Sequence, residues 1–384
     1  MIRMLTAYTG EVDDIEVSVT EILEQLNLKD RLLRNSVGIL AFHPEFLETG
    51  AVQAVSEALP FDSIGGTTSN VAVAGAMGGL MLAVTVLTSD DIMFRAGAAA
   101  PIEDDPREPI RALYSRLTFS CTEKPSLLFT FAPVIGNIGG DDFIEALDAV
   151  SGGTPLFGSL AFTHLPDFGG IETCWNGKRH TNVFTLIAMF GEIKPEFYLT
   201  SIPDDRVRHQ NATITQAVKN RIQSINGLVP LEYLESIGLA ESGSIAGISS
   251  IPFVLTLDDG SRIVRSAYKT TEEGHILAYG TIPQGARIGF SDCGAGFVLQ
   301  STRETTAQAV AASRAKNALL FSCAGRRWTL DTRTDAEMKE LANCLDESFV
   351  YQFAYSGGEI CPVKNQEGRL VNSFHNFSMI ACLL

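Results

Sequence analysis

The sequence lacks the closely spaced cysteine and histidine pairs that mark metal or redox sites. Its seven cysteines include no C-x-x-C pair, and its six histidines include no H-x-x-x-H pair. An odd number of widely spaced cysteines favours reduced, mostly buried thiols over a disulfide framework. We therefore expect neither a disulfide-stabilised secreted fold nor a metal site, and we expect no cofactor.

Basic residues are scarce relative to acidic ones, and the formal net charge is −16. A nucleic-acid-binding surface needs clustered Lys and Arg, and a surface that docks on anionic lipid needs the same. We therefore expect neither nucleic acid nor a membrane among the partners of this protein.

Long apolar runs are also scarce. The run that comes nearest to a membrane span is VAVAGAMGGLMLAVTVL, from Val71 to Leu87. It falls short of the ~20 residues that a spanning helix needs, and it is interrupted by Gly75, Gly78 and Gly79. Two buried strands joined at AMGG are the better interpretation.

No basic segment followed by an apolar segment, as in a secretory signal, precedes Asp30. Acidic residues such as Glu11 and Asp13 interrupt this region, so we expect a cytoplasmic protein. With 384 residues, 45% of them hydrophobic and 19% charged, the chain is long enough for two or three domains with a sizeable core.

A pattern of strand, helix, loop and strand occurs three times. Each unit begins with an apolar run of strand length, in Val37–Phe42, Ser126–Phe131 and Ala318–Cys323. An amphipathic stretch at helical spacing follows, and Asp141 and Asp335 stand at the N-cap positions of two of these stretches. A loop of small residues and a last apolar strand close each unit. The loops are SIGGTTS, LFGSLAF and YSGGEIC, and the closing strands are LMLAVTVL, VFTLIAMF and FSMIACLL.

A differently composed region, from about Tyr198 to Gln300, separates the second unit from the third. It contains a helical stretch, PLEYLESIGL, and two alternating runs joined by a DDG turn, which is a hairpin signal. The segment Ile202–His209 is polar and contains proline, as domain boundaries often do. We predict an α/β fold with layered mixed sheets built from repeated strand-helix-strand modules, with a β-rich insert before the last module. We place the domains at 1–204 and 205–384.

Several segments resemble a known family. ALLFSCAGRR, FVYQFAYSGGEICP and SFHNFSMIACLL are similar to the end of FIST domains, where a Cys-x-Gly-Arg-like motif, a Gly-Glu loop and a His and Asn before the last strand follow in this order. TITQAVKNRIQSINGLVPLEYLESIGL resembles the junction between the two parts of the family, and GGDDFIEALDAVSGGTPLFGSLAF resembles its N-terminal part. The resemblance implies a FIST N-terminal-like domain in 1–204 and a FIST C-terminal-like domain in 205–384.

The resemblance also implies a function. FIST domains are intracellular sensory modules of signalling proteins, proposed to bind small ligands such as amino acids. No long segment remains here for a kinase, cyclase or receptor output domain. We therefore expect the signal to pass through a partner protein.

Two charged residues suggest how such a ligand would be held. Arg326 follows an apolar strand and presents a planar fork suited to a carboxylate or phosphate, and Glu359 follows two glycines and can accept from an ammonium group. Together they predict a receptor for a zwitterion such as an amino acid. Alternatively, the two side chains pair with one another. The predicted ligand-binding residues are Cys323, Arg326, Gly357, Gly358, Glu359, His375 and Asn376.

Several of these residues also have structural interpretations. The glycine pair permits positive φ or a close approach of the backbone to another group. His375 and Asn376 either donate to the ligand or tie down the terminal segment. In the first two units the equivalent small residues either build a second crevice or make tight turns. They are Gly65, Gly66, Thr67, Gly158 and Ser159.

Two other classes of function compete with ligand sensing. In an enzyme, Cys323 or Cys361 would be a thiolate nucleophile assisted by His375, with Glu359 orienting the histidine. No strong catalytic motif such as G-x-S-x-G supports this arrangement. A ligand-free interaction scaffold would need only accessible loops. Nucleotide binding is not expected, because GNIGGDD has aspartates where a P-loop has its lysine.

Overall fold

The computed structural model describes residues 1–163, 170–240, 248–258, 260–291, 293–365 and 367–384, apart from the side chains of residues 210 and 249. Asp259, in the predicted DDG turn, lies outside the described residues. The predicted fold class is confirmed, because the chain forms three similar strand-helix-strand modules with a β-rich insert in the third.

The modules share one order of elements, in which a strand, a helix, a strand, a helix and a strand are followed by a hairpin and a last strand. The first contains β1 (Arg3–Thr9), α1 (Ile15–Leu26), α2 (Leu28–Arg31), β2 (Asn35–Phe42), α3 (Glu45–Glu48), α4 (Ala51–Ala58), β3 (Ser63–Thr67), β4 (Val71–Val73), β5 (Ala76–Gly78) and β6 (Leu82–Ser89). The second contains β7 (Met93–Ala98), α5 (Arg107–Thr118), β8 (Leu127–Ala132), α6 (Gly140–Ser151), β9 (Leu156–Leu160), β10 (Thr173–Trp175), β11 (Lys178–His180) and β12 (Thr185–Phe190).

The third module is divided by the insert. It begins with β13 (Glu196–Leu199). The insert contains β14 (Val207–Val218), β15 (Arg221–Ile225), α7 (Pro230–Ser236), β16 (Phe253–Thr256), β17 (Arg262–Arg265), β18 (Ala267–Thr270), β19 (Ile276–Ala278) and β20 (Arg287–Ser291). The module then resumes with α8 (Ala295–Ala312), β21 (Asn317–Cys323), α9 (Ala324–Thr329), α10 (Ala336–Cys344), β22 (Val350–Ser356), β23 (Glu359–Lys364), β24 (Leu370–His375) and β25 (Met379–Leu383).

The three modules exchange their hairpins in a cycle. Their own strands are ordered β1-β6-β2-β3, β7-β12-β8-β9 and β13-β25-β21-β22, and in each module the last two are parallel. The hairpin β4–β5 adds to β22 of the third module, β10–β11 adds to β3 of the first, and β23–β24 adds to β9 of the second. Each six-stranded sheet is therefore completed by a hairpin from a neighbouring module.

The three apolar runs noted in the sequence form central strands that are buried on both faces. In β2, Ile39 and Ala41 lie in a core shared by all three sheets, whereas Leu40 and Phe42 pack with α1, α3 and α4. Strands β8 and β21 alternate in the same way between the shared core and the helices of their own modules. The shared core contains a cluster of rings with neighbouring centroids 5.4 to 6.4 Å apart, formed by Phe129, Phe131, Phe157 and Phe321.

The insert forms a seven-stranded antiparallel sheet with its own apolar core. The predicted hairpin is confirmed as β16–β17, and the predicted helix is confirmed as α7. One buried guanidinium of the insert forms hydrogen bonds with two other parts of the fold. Arg265, in β17, donates to both carboxylate oxygens of Asp141 at 2.8 and 3.0 Å and to the carbonyl of Phe374 at 3.2 Å. Asp141 lies in the first turn of α6 and Phe374 lies in β24.

The predicted N-cap at Asp141 is wrong. Gly139 occupies the N-cap position of α6, and the carboxylate of Asp142 accepts from the Gly139 backbone N–H at 2.7 Å. Asp141 is thereby left to pair with Arg265. The N-cap position predicted for Asp335, before α10, is confirmed, although its side chain makes an ion pair with Lys339 and not a capping hydrogen bond.

The two strands predicted between Val71 and Leu87 are in fact three. Ala76–Gly78, which we expected to be a turn, forms strand β5 and pairs with β4. The resulting hairpin β4–β5 adds to β22 of the third module. Within the described part of the chain, no helix combines the length and the apolar character needed to cross a membrane.

Two of the predicted small-residue loops are also largely strands. SIGGTTS forms β3 and LFGSLAF forms β9, both of them buried. The sequence left open whether these glycines make tight turns or build a second crevice; Gly65 and Gly66 lie inside β3 and permit close packing. A Cβ added to Gly66 would lie 2.8 Å from the ring of Phe131 in the shared core, and one added to Gly65 would lie 2.8 Å from the Leu40 carbonyl oxygen.

We predict that Arg265→Met will lower the free energy of unfolding by about 2 kcal/mol or more. The substitution removes a buried cation, breaks its ion pair with Asp141, and takes one donor away from the carbonyls of Phe374 and Thr281. The control is Arg303→Met, which breaks the more exposed pair of Arg303 with Glu340 and should cost less than about 1 kcal/mol. Denaturant unfolding measures both variants, and equal losses would contradict the anchoring role of Arg265.

Candidate functional site

The chain segments that follow β3, β9 and β22 meet at one place. Each of these strands is the second member of a parallel pair, and the carboxyl ends of such strands are where open α/β sheets bind ligands. Backbone and hydroxyl hydrogen bonds connect the three segments in a ring. Phe162 N donates to Thr67 O at 2.8 Å, Thr68 Oγ1 to Tyr355 O at 2.7 Å, and Gly357 N to Leu160 O at 3.1 Å.

Gly357 and Gly358 permit a close approach of chain segments at this junction, and neither has positive φ. A Cβ added to Gly358 would lie 2.2 Å from the ring of Phe374, and one added to Gly357 would lie 3.1 Å from the carbonyl oxygen of Ala161. Of the two explanations that the sequence offered for the glycine pair, close packing is the one that the structure supports.

Glu359 lies directly after the glycine pair and is fully buried. Its two carboxylate oxygens accept from Ser356 Oγ at 2.6 Å and from Ser378 Oγ at 2.7 Å. Burial raises the pKa of the Glu359 carboxyl to about 8, and the serine hydrogen bonds offset only part of that effect. A large fraction of Glu359 is therefore protonated at neutral pH.

Arg326 points away from this junction, and the alternative in which it pairs with Glu359 is wrong, because it pairs with Glu337. Its guanidinium donates to Glu337 in α10 at 2.7 Å and to Thr302 Oγ1 in α8 at 2.8 Å. Both members of the ion pair are fully buried. Arg326 therefore joins α9 to α8 and α10, and these contacts occupy the fork that was predicted to hold a ligand. The sequence could have indicated this partner. Glu337 is spaced i, i+4 from the core residue Leu341, so it lies on the buried face of α10, where a carboxylate needs a cation.

The arrangement of a cysteine nucleophile, His375 and Glu359 that the alternative enzyme function would need is not assembled. Burial raises the pKa of the Cys323 and Cys361 thiols, so both stay protonated at neutral pH. The imidazole of His375 contacts the backbone carbonyl of Cys361 at 3.0 Å, and the Glu359 carboxylate is engaged by two serines. Five of the seven cysteines are buried.

His375 and Asn376 lie at the end of β24 and connect it to its surroundings. A carbonyl oxygen only accepts, so the contact with Cys361 O places a hydrogen on His375 Nε2 and leaves Nδ1 as an acceptor. Burial lowers the pKa of His375 to about 4, which keeps the ring neutral at physiological pH. Asn376 is 1% exposed and its Oδ1 accepts from the Ser266 backbone N–H at 3.2 Å, while its Nδ2 has no partner in the described structure.

A cavity of about 350 Å³ lies beside these two residues, between the end of β24, the hairpin β16–β17 of the insert and the segment after β13. Ser378 lines it, and through the Ser378 hydroxyl the cavity is one hydrogen bond from Glu359. Arg262 contributes a cation, whose ion-pair partner is Asp204. The polar residues that line the cavity are Thr200, Ser201, Arg262, Ser373, His375, Asn376 and Ser378.

Two of the seven predicted residues therefore line the cavity, namely His375 and Asn376. Glu359 lies behind Ser378, and Gly357 and Gly358 shape the neighbouring junction. Arg326 lies elsewhere. Sequence reasoning missed Arg262 and Ser378; Ser378 follows the predicted His-Asn pair by two residues, whereas nothing in the pattern around Arg262 distinguishes it. Among the described residues, no group of three or more His, Cys, Asp or Glu side chains is arranged to hold a metal ion.

The fold and the cavity define a three-module α/β protein with a mainly apolar cavity, bearing several polar side chains, next to an antiparallel insert. The chain belongs to the FIST family. A sequence model of the FIST N domain matches residues 36–228, and one of the FIST C domain matches residues 230–362. FIST domains are generally sensory, small-ligand-binding signalling domains. The division at residues 204 and 205 stays a prediction.

Two solved structures match this chain at low similarity. A chorismatase is 11% identical, with a TM-score of 0.35, covering 100% of this chain and 98% of its own. A cyanuric acid hydrolase from A. caulinodans is 12% identical, with a TM-score of 0.26, covering 50% of this chain and 72% of its own. No curated protein matches the chain. Likenesses this weak transfer no activity to this protein.

We predict that Glu359→Gln will become progressively more stable than the wild type as the pH rises from about 4.5 to 8. The folded carboxyl has a pKa of about 8, whereas the ordinary value for a glutamate is 4.5, so folding takes up a proton between these pH values and wild-type stability falls through this window. The amide cannot ionise, so the gap should widen by up to about 1.4 kcal/mol per pH unit.

This difference in stability is measured by denaturant unfolding of both proteins at about every pH unit between roughly pH 5 and pH 9. The control is Glu304→Gln on the exposed face of α8, which should run parallel to the wild type. A Glu359→Gln profile that is also parallel to the wild type would show that the buried carboxyl is ionised throughout.

Proposed function

We propose that this protein is a cytoplasmic sensor that binds an amino acid or a related small metabolite in the cavity beside β24, and that passes the signal to a partner protein. The observation that carries the proposal is the cavity itself. Its volume of about 350 Å³ falls in the range of small-molecule sites, and convergent polar groups stand on an otherwise apolar lining. A ligand-free scaffold does not need such a cavity.

The polar groups on the lining match the two ends of an amino acid. Arg262 offers a planar fork for a carboxylate. His375 is neutral, and its free Nδ1 lone pair can accept from an ammonium group. The hydroxyls of Thr200, Ser201 and Ser373 can complete the remaining hydrogen bonds. Arg262 and His375 thus take the roles that the sequence suggested for Arg326 and Glu359.

The existing partner of Arg262 does not prevent ligand binding. Asp204 is 89% exposed, so its pair with Arg262 is well solvated and contributes little stability. A ligand carboxylate inside the cavity would meet the same guanidinium in a less hydrated environment, where the interaction is stronger. When the ligand carboxylate replaces Asp204, the charge of Arg262 stays paired.

The position of the cavity suggests how occupancy could be reported. Its walls come from three separate parts of the chain: the insert, the hairpin β23–β24 and the segment after β13. A ligand that bridges these parts stabilises one arrangement of them over others. The Ser378 hydroxyl also extends from the cavity to Glu359 and so to the junction of the three chain segments. A partner protein that contacts the insert or this junction would sense the difference.

We predict that one class of amino acid will raise the thermal unfolding temperature of the purified protein. Ligand at 100 times its dissociation constant adds about 2.7 kcal/mol, which corresponds to a rise of several degrees. Arg262→Gln and His375→Gln should each abolish most of the shift, and decarboxylated or deaminated analogues should fail on the wild type. Scanning fluorimetry against the amino acids and their analogues measures this.

Arg303→Gln is the control, because it removes an exposed arginine of α8 outside the cavity and should keep the full shift. The proposal is contradicted if no amino acid or related metabolite shifts the transition of the wild type. A shift that survives in both cavity variants would place the ligand elsewhere.

A further inference from the structure

Arg327 is a half-buried arginine without an acidic partner, next to the junction of the three chain segments. Its Nε donates to Asn70 Oδ1 at 2.7 Å, and this is its only hydrogen bond among the residues that the structure describes. The two terminal nitrogens of the guanidinium, which form the fork that binds carboxylates and phosphates, are unused. Burial lowers the pKa of Arg327, since no carboxylate compensates for the lost hydration.

Among the described residues, the two fully buried arginines are both neutralised by a carboxylate. Arg326 pairs with Glu337, and Arg265 pairs with Asp141. In a protein with a net charge of −16, acidic side chains are plentiful, yet no carboxylate among the described residues contributes to the pKa of Arg327. Partial burial of a cation without a counter-charge lowers the stability of the fold, and binding of an external anion would offset that cost.

The residue before Asn70 adds a further polar group. Ser69 is 1% exposed, and its hydroxyl has no hydrogen-bond partner in the described structure. It precedes Asn70, which holds the Arg327 guanidinium in place. The backbone N–H of Tyr355 donates to Asn70 O at 3.3 Å, which ties this group to β22. A buried hydroxyl without a partner is unfavourable unless a ligand completes it.

We propose that Arg327, Asn70 and Ser69 form a binding site for the carboxylate or phosphate group of a small molecule. The fork of Arg327 would bind two oxygens, the amide of Asn70 would fix the plane of the guanidinium, and the hydroxyl of Ser69 would donate to a third oxygen. None of these residues lines the cavity beside β24, so this site is distinct from the one in the proposed function and does not depend on it.

The adjacent tryptophan provides a direct readout. The chain has two tryptophans, and Trp328 follows Arg327 and packs edge-to-face on Phe162 with ring centroids 5.7 Å apart. In a Trp175→Phe background, Trp328 is the sole tryptophan. Sodium phosphate and sodium acetate would be titrated separately against sodium chloride at matched ionic strength.

We expect a saturable change in Trp328 fluorescence with phosphate, acetate or both, and none with chloride. Arg327→Gln should abolish it, Arg327→Lys should weaken binding about tenfold because a lysine lacks the bidentate fork, and Ser69→Ala should weaken it less. The control Arg333→Gln removes an exposed positive charge nearby and should leave binding unchanged.

Three results would overturn the proposal: no saturable change with either anion up to about 10 mM, an equal response to chloride, or binding that persists in Arg327→Gln. Response to acetate alone or to phosphate alone would instead support the site and identify which group it takes. Arg262→Gln should keep the anion response, so the failure of one site can be told from the failure of the other.

Discussion

The cyclic exchange of hairpins is the constraint on which the rest of this structure depends. Each module supplies four strands of a sheet, and its last two come from a neighbour, so no module can bury its own edge alone. The hairpin β23–β24 adds to β9 and thereby carries the end of the chain across to the second module. The Phe374 ring then packs where a side chain on Gly358 would otherwise lie.

The same exchange positions the candidate site. Because β24 ends beside the insert, His375 and Asn376 reach Ser266 and the cavity, while the backbone before them reaches the guanidinium of Arg265. The cavity is therefore formed by segments from both the module and its insert. The hydroxyl of Ser378, on the cavity wall, donates to the buried carboxyl of Glu359, which also accepts from Ser356 at the junction of the three chain segments.

Much of the fold could be predicted from the sequence, because its signals are local. An apolar run such as Val37–Phe42 reads as a buried strand, and the alternating runs around the DDG turn read as a hairpin. The site could not be predicted as fully. Arg326 follows a strand as a ligand-binding arginine would, but its partner is decided by the packing of α10, which brings in the buried Glu337. Likewise, Arg262 becomes a site residue only because the insert folds back onto β24.

The central claim is that an amino acid or a close relative binds between Arg262 and His375. The most direct test is a crystal structure of the protein with the amino acid that stabilises it most. We predict that the ligand carboxylate lies on the Arg262 guanidinium, and that its amine lies within hydrogen-bond distance of His375 Nδ1. A ligand bound elsewhere, with the cavity beside β24 empty, would contradict the claim.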